Sequence, residues 1–325
     1  MSNLEKAPPE LVIGGEPPVV GAVEILEPRD VPLGGPRAMN VRRTLPQRHR
    51  SLIGAWCFVD HYGPDVVRER GGMVVPPHPH TGLQTVSWLF AGEIDHRDSV
   101  GSHAAVRVGE LNLMTAGRGI AHSEVSTDAT TVLHGAQLWL ALPDGSRHTD
   151  PAFEHYAPPV VVLPGATVRV FLGSLVGSTS PAMTFSAVVG AQIDLDPFAA
   201  VELPVDAAFE HGVLLDRGAL SVDGDELPAA HLAYREPGSS VLRLEAGPAG
   251  ARLLLIGGVP FGESIIMWWN FIGRTHEEIV GFRDEWQTDV VGGVRDDGRF
   301  GVVAGYPGRP LPAPELPGIR LKPRS

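Results

Sequence analysis

Cysteine is almost absent from this chain of 325 residues, which contains only Cys57. Without a second cysteine no disulfide can form within the chain, so nothing links the fold to an oxidising compartment. Long apolar runs are missing as well, because none approaches the ~18 residues of a membrane-spanning helix. The first ten residues carry charges and two prolines instead of the apolar stretch of a secretion signal. The sequence therefore predicts a soluble cytoplasmic protein with no membrane partner.

Positive charge is also scarce. The chain has 26 Lys and Arg residues against 38 Asp and Glu residues, and its formal net charge is −12. Proteins that bind nucleic-acid phosphates usually carry a concentrated basic surface. One short basic cluster is present, and we expect it to form a solvated loop or an anion contact. Its members are Arg42, Arg43, Arg48, His49 and Arg50. Direct binding of nucleic acid is therefore not expected.

Glycine and proline, by contrast, are abundant, with 39 and 30 residues, and they interrupt short apolar runs throughout the chain. Charged residues make up 20% and hydrophobic residues 43%, which is a globular composition. Short strands separated by turn residues are typical of β-barrels and β-sandwiches. The length is sufficient for two domains of ordinary size. We therefore expect an all-β protein.

Several local patterns predict individual elements. Residues 86–90 and 94–98 are strand-like, and the turn residues between them predict a β-hairpin. The run 212–224 is the clearest predicted hairpin in the chain. Near the carboxyl end, Thr275 and Glu278 have the spacing of a capping box, which predicts a helix. Its buried stripe would be formed by Ile279, Phe282 and Trp286.

Two short pairs of metal-type ligands occur in the first half of the chain. His78 and His80 form one pair, and His122 and Glu124 form the other. Residues at i and i+2 of a strand point to the same face. Neighbouring strands lie about 4.8 Å apart, so four such side chains can reach one ion with bonds of ~2.0–2.2 Å. Three imidazoles and a carboxylate suit a transition metal better than Mg or Ca.

Other interpretations of these histidines remain open. The chain has 13 histidines, so His78 and His80 could belong to a polar loop, and His122 could be a hydrogen-bonded strand residue. His96 and Asp98 also share one face of a strand, which would suit a metal. Because they lead into a turn, we interpret them as a hydrogen-bonded pair and not as the main site. The two ligand pairs favour a metal site, within the false-positive risk of short motifs.

Four blocks of sequence, in the same order, resemble the pirin family of the cupin superfamily. They are residues 77–86, 92–99, 114–124 and 137–143. The resemblance implies one metal ion, iron in the best-known members, held by His78, His80, His122 and Glu124. Other divalent transition ions are alternatives: Ni, Mn, Cu, Co and Zn. Residues 52–64 fit the pattern too, and there we expect His61 to be a pocket-wall or structural residue.

The resemblance further implies two tandem cupin barrels of the jelly-roll type, followed by the short helix. We expect an amino-terminal arm at 1–20, a metal-binding barrel at 21–150, a second barrel at 151–306 and a proline-rich tail at 307–325. The barrel region of the second half contains only two histidines, His211 and His231, and no His-x-His pair. A second metal site is therefore not expected there.

One position departs from the cupin pattern. Four residues after the second histidine, where cupins usually have glutamate, this chain has Gln84. Because the pirin pattern takes its carboxylate ligand from the position of Glu124, metal binding should survive the change. A carboxylate at position 84 cannot act as an acid or base here, which leaves Glu124 as the predicted proton acceptor.

Some pirin-family members are described as quercetin 2,3-dioxygenases, so the resemblance implies dioxygenase chemistry on a small flavonol-like aromatic enol. A non-enzymatic, metal- or redox-dependent regulator that binds a protein partner is the alternative, and the loss of the carboxylate at position 84 adds weight to it. A cupin isomerase or hydrolase that uses the ion as a Lewis acid is a third option. An enzyme needs an open and mainly apolar cleft over the ion, whereas a regulator needs only a surface near it.

Overall fold

The computed structural model describes residues 23–33 and 39–324, so the predicted arm at 1–20 lies outside the described residues. The predicted all-β class is confirmed, because strands dominate and form two barrels in tandem. The helices of the described part are α1 (Val67–Arg70), α2 (His276–Glu285) and a π-helical turn at Trp286–Val291.

The first barrel consists of two antiparallel sheets that face each other. The larger sheet contains, in spatial order, β12 (Ala152–Tyr156), β9 (Leu111–Thr115), β6 (Leu83–Ala91), β11 (Val132–Ala141), β4 (Trp56–Val66), β3 (Met39–Leu45) and β2 (Arg29–Leu33). The smaller sheet contains β5 (Val74–His80), β10 (Ile120–Ser126), β7 (Ile94–Asp98) and β8 (His103–Val106).

The second barrel is built on one large antiparallel sheet. Its main path is β1 (Glu24–Leu26), β21 (Leu232–Arg235), β19 (Glu210–Val222), β22 (Val241–Gly258), β17 (Val188–Leu195), β14 (Ala166–Leu172) and β13 (Val161–Leu163). Beside this path, β18 (Ala200–Pro204) pairs with β22, and β20 (Asp225–Leu227) pairs with β19. Two small ribbons, β15 (Ser174–Leu175) with β16 (Ser178–Thr179) and β23 (Ile266–Trp268) with β24 (Phe271–Gly273), complete the described strands.

The two ends of the described chain cross to the opposite barrel. Strand β1 pairs with β21, so residues that precede the first barrel complete the sheet of the second. At the other end, the amide of Ile272 donates to the carbonyl of Thr81 (3.0 Å), and the amide of Leu311 donates to the carbonyl of Pro77 (2.8 Å). The carboxyl-terminal segment thus packs against β5 of the first barrel. The predicted domain boundaries stay predictions.

The two predicted hairpins are wrong. Strand β6 pairs with β9 and β11 in the larger sheet, whereas β7 pairs with β8 and β10 in the smaller one. The chain crosses between the sheets at Gly92, whose φ of +88° suits glycine. Residues 212–222 belong to the single long strand β19, in which two bulges interrupt the register with β22. The tight turn occurs only at Asp223 and Gly224, where β20 begins to pair.

The predicted helix is confirmed as α2. The Thr275 side chain accepts a hydrogen bond from the Glu278 amide, and the Glu278 carboxylate accepts one from the Thr275 amide, which completes the capping box. The predicted stripe is buried as expected: Ile279, Phe282 and Trp286. Through it the helix packs onto Phe271 and Phe300, beside β5.

Candidate metal centre

Three neighbouring strands of the smaller sheet each present one pair of polar side chains. Strand β10 lies between β5 and β7, and His122 is paired with His78 on one side and with Asp98 on the other. Glu124 lies opposite His96. The two predicted pairs are therefore neighbours, and a third pair from β7 completes the row.

Three imidazoles converge, as the spacing predicted. The donor atoms of His78, His80 and His122 lie within 4.8 Å of one another. The closest approach is 3.1 Å, between the Nε2 atoms of His80 and His122. All three residues are 0% exposed. Such a group offers three nitrogen ligands in a site shielded from water.

Burial sets the protonation of these histidines. It lowers the pKa of His78 to about 3, and it lowers the pKa values of His80 and His122 well below the ordinary range. The rings are neutral at pH 7, which is the state that binds a metal. The Nδ1 of His78 donates to the carbonyl of Pro76 (2.9 Å), so its Nε2 carries the lone pair. That Nε2 is buried with no hydrogen-bond partner in the described structure, which fits a ligand to a transition metal.

Glu124 does not join all three imidazoles in this arrangement. Its carboxylate groups instead with His122 and His96, within 4.8 Å, and it accepts a hydrogen bond from the Ser87 hydroxyl (3.2 Å). The register between β10 and β5 shifts here, because β5 has one extra residue between His78 and Val75, whereas the register of β10 with β7 is continuous. Rotation of the Glu124 side chain would be needed for it to complete a four-ligand set.

His96 is the residue that sequence reasoning left outside the site. Its expected hydrogen bond to Asp98 is present, with 3.3 Å between Nε2 and Oδ2. The opposite ring nitrogen, Nδ1, lies 3.4 Å from the Nδ1 of His122. The i, i+2 spacing of His96 and Asp98 was the signal that could have placed them beside the ligands.

Gln84 lies outside the site. It donates to the Thr115 hydroxyl (2.9 Å) and to the Met183 carbonyl (2.9 Å). Side chains alternate along β6, so Gln84 and Ser87 lie on opposite faces of the strand, and Ser87 is the one that contacts Glu124. Substitution of glutamate by glutamine at position 84 therefore removes no carboxylate from the metal centre.

The inner wall of the larger sheet is polar. Three buried donors next to the ligands have no hydrogen-bond partner in the described residues: the Tyr62 hydroxyl, Nε2 of Gln137 and Nε1 of Trp139. Trp139 packs edge-on against His80, with 5.1 Å between ring centroids. The carbonyl oxygen of Gln137 lies 2.9 Å from the Ser87 hydroxyl, which shares its one hydrogen between this oxygen and Glu124.

Of the two structures expected for the basic cluster, Arg43 adopts the anion contact and not the solvated loop. Arg43 is 1% exposed and forms a bidentate ion pair with Asp60, at 2.7 and 2.8 Å. Its guanidinium lies 4.2 Å from the centroid of the Phe58 ring. The cause is its position on β3, where it is carried into the barrel and neutralised by a carboxylate of β4.

His61 lies on the outer face of β4, toward the second barrel. Its Nε2 lies 2.7 Å from Oδ1 of Asp216, a residue of β19, and His134 lies 2.6 Å from the same oxygen. Arg252 donates to the other oxygen of Asp216 (2.6 Å). These side chains form a polar contact between the barrels. The ligand-type atoms of His61, His134 and Asp216 lie within 4.8 Å of one another, which could also hold a metal ion, so the structural role of His61 stays a prediction.

Comparison with known proteins places this geometry in a family. The pirin family profile matches residues 38–140, and the profile of the pirin C-terminal cupin domain matches residues 190–292. The chain belongs to the pirin family. A provisionally named quercetin 2,3-dioxygenase of Pseudomonas aeruginosa is 41% identical over 89% of each chain. A pirin-like protein of Caulobacter vibrioides is 35% identical over 76% of this chain and 88% of its own length.

Solved structures agree with the assignment of this pirin-family chain to the two-barrel cupins. A quercetin 2,3-dioxygenase from Acinetobacter baumannii is 38% identical and superposes with a TM-score of 0.84, over 92% of this chain and 97% of its own. The Escherichia coli pirin YhhW, solved in complex with nickel(II), shares the fold at 16% identity and a TM-score of 0.58, covering 74% of this chain and 100% of its own. In the described residues no helix is long and apolar enough to span a membrane.

Proposed function

We propose that this pirin-family chain is a metal-dependent dioxygenase of the quercetin 2,3-dioxygenase type, acting on flavonol-like aromatic enols. The observation that carries the proposal is the buried group of three neutral imidazoles, His78, His80 and His122. The names of the relatives from P. aeruginosa and A. baumannii support the substrate class.

The proposed ligands are these three histidines, with Glu124 as the fourth after rotation of its side chain. Iron is the first choice of ion, and Ni, Mn, Cu, Co and Zn also suit the donor set. When bound, the ion acts as a Lewis acid that lowers the pKa of a coordinated hydroxyl. Glu124 accepts the released proton, and the Ser87 hydroxyl, 3.2 Å from its Oε1, steadies the carboxylate.

The test is oxygen uptake together with carbon monoxide release from quercetin by the iron-loaded protein. We expect both with the wild type and neither with His78→Ala. His231→Ala provides a matched control, because the side chain of this partly exposed histidine of the second barrel hydrogen-bonds to the nearby Ala229 carbonyl, far from the proposed ligands in the sequence. Stoichiometric iron without carbon monoxide release would refute the proposed reaction.

A regulatory role is favoured by one specific observation. His78, His80, His122 and Glu124 are all 0% exposed, and the carboxyl-terminal segment packs on β5 beside two of them. If the metal state sets a partner-binding surface, loading should change amide hydrogen exchange at residues 311–313. An enzyme with a fixed outer surface should show the same exchange with and without metal.

A further inference from the structure

The pair on β7 is organised from the turn that follows it. Oδ1 of Asp98 accepts hydrogen bonds from the amides of Val100 (3.0 Å) and Ser102 (2.8 Å). The other oxygen of Asp98, Oδ2, faces Nε2 of His96 at 3.3 Å. His96 and Asp98 are each 2% exposed. The carboxylate is thus held by the backbone and presents one fixed acceptor to the ring of His96.

Hydrogen-bond roles follow from that acceptor. A carboxylate oxygen accepts, so the Nε2 of His96 that faces it carries a hydrogen. The contact between the Nδ1 atoms of His96 and His122 needs one donor and one acceptor, and with the hydrogen of His96 on Nε2 its Nδ1 supplies the lone pair. This lone pair faces Nδ1 of His122 at 3.4 Å, which must then be the donor. Nε2 of His122 is left with its lone pair, and this is the atom that lies 3.1 Å from Nε2 of His80.

We propose that His96 is a positioning residue for the metal centre, and that Asp98 fixes its tautomer. Through His96 the pair holds His122 with hydrogen on Nδ1 and the Nε2 lone pair directed at the ion. Phe153 stacks on the His96 ring, with 4.7 Å between centroids, and this packing restricts rotation of the imidazole. Partners of this kind typically raise metal affinity about 10–100-fold. The inference rests on the metal site of the proposed function.

His96 is not a ligand of the same ion. An ion held by His96 and His122 together would use Nδ1 of His122, whereas an ion held with His78 and His80 uses Nε2. The two nitrogens point away from each other, so one ion cannot bind both. Nε2 of His78 is buried without a described hydrogen-bond partner, which favours the ion held by His78, His80 and His122.

The sharpest variant is Asp98→Asn, which keeps the shape of the side chain. Its amide oxygen can still accept from the turn amides, so its NH2 group would face His96. His96 must then take hydrogen on Nδ1, and His122 must move its own hydrogen to Nε2, the ligand atom. We expect Ni²⁺ affinity, measured by competition with a chelator, to fall about 10–100-fold. Asp95→Asn is the control, since Asp95 pairs with Arg97 and His103 away from the site.

A second pair of variants separates positioning from simple packing. His96→Ala should lose Ni²⁺ affinity by a similar factor, while His96→Gln offers an amide oxygen to His122 and should recover part of it. The tautomer is read directly from nitrogen-15 spectra of the imidazoles in the metal-free protein. We expect the Nδ1–H form of His122 in the wild type and in Asp95→Asn, and the Nε2–H form in Asp98→Asn.

The proposal is overturned if Ni²⁺ affinity of Asp98→Asn stays within twofold of wild type, or if wild-type His122 carries its hydrogen on Nε2. It is also overturned if X-ray absorption shows one imidazole fewer on Ni²⁺ in His96→Gln, because His96 would then be a ligand. None of these measurements uses quercetin. A protein with the expected tautomer and affinities but no carbon monoxide release would refute the dioxygenase and leave the positioning role intact.

Discussion

The two barrels share a family and differ in what fills them. The second barrel is packed with aliphatic side chains, among them Val168, Ile193, Leu215 and Leu253. The first encloses histidines, the Arg43–Asp60 ion pair and several donors without described partners. Buried polar groups without partners cost stability. The first barrel carries more of this cost than the second, where Nε2 of His211 is such a group among the described residues. The comparison teaches that one barrel is organised for binding and the other for packing.

The largest effect should come from the ligands. We expect His78→Ala to abolish stoichiometric metal in protein purified without added ion, as measured by elemental analysis. His211→Ala is the counterpart in the second barrel: this histidine is also buried, at 2% exposed, and burial lowers its pKa to about 4. Among the described residues His211 belongs to no group of side chains that could hold a metal ion. The metal content of His211→Ala should therefore equal that of the wild type. Equal loss in both variants would contradict the division of roles.

Truncation of the aliphatic core should lower stability and leave metal binding unchanged. Leu253→Ala in β22 removes a residue that is 0% exposed, and we expect unfolding free energy to fall by about 2–5 kcal/mol. Metal stoichiometry of the folded fraction should be unchanged. Urea unfolding followed by elemental analysis checks both. A stable protein without metal would show that the barrels are not separable in this way.

The pH dependence of the metal-free protein should reflect the buried histidines. Burial lowers the pKa of His78 to about 3 in the folded state, while the unfolded value is about 6.5. The unfolded chain therefore binds the proton first, and stability falls as pH drops from about 6.5 toward 3. At pH 5 this one group should cost about 2 kcal/mol. In His78→Asn the loss of unfolding free energy between pH 7 and pH 5 should be smaller by that amount, as measured by urea unfolding at both pH values. An unchanged loss would contradict the prediction.

The smallest expected difference in stability concerns two tyrosines, one in each barrel. The Tyr62 hydroxyl has no partner in the described structure, whereas Tyr234, in the second barrel, donates to Glu210 (2.9 Å). Tyr62→Phe removes an unsatisfied group and should raise stability of the metal-free protein by up to about 1 kcal/mol, while Tyr234→Phe should lower it by about 1 kcal/mol. Chemical denaturation distinguishes the signs. A loss of stability in Tyr62→Phe would mean that its hydroxyl has an ordered water partner.

What the sequence could predict was local. The i, i+2 spacing of His78 with His80 depends only on strand geometry, and the capping box at Thr275 depends on one helical turn. The hairpin predictions were wrong because contacts across the whole barrel determine which strands pair. Strands β6 and β7 are adjacent in sequence but lie in different sheets. The direction of Glu124 depends on a bulge against β5, and that register cannot be read from one strand. The sequence pattern also did not show that Gln84 faces away from the ligands. The turn at Gly82, with a φ of +69°, interrupts the alternation of side chains after His80.

The exchange of chain ends has a consequence for biosynthesis. Strand β1 leaves the ribosome before any other described strand, yet its partner β21 follows some two hundred residues later. The stretch that covers β5 is translated after the strands of both barrels. Each barrel can therefore be completed only after a distant segment of the chain has been synthesised, so the histidine pocket reaches its finished form late in folding.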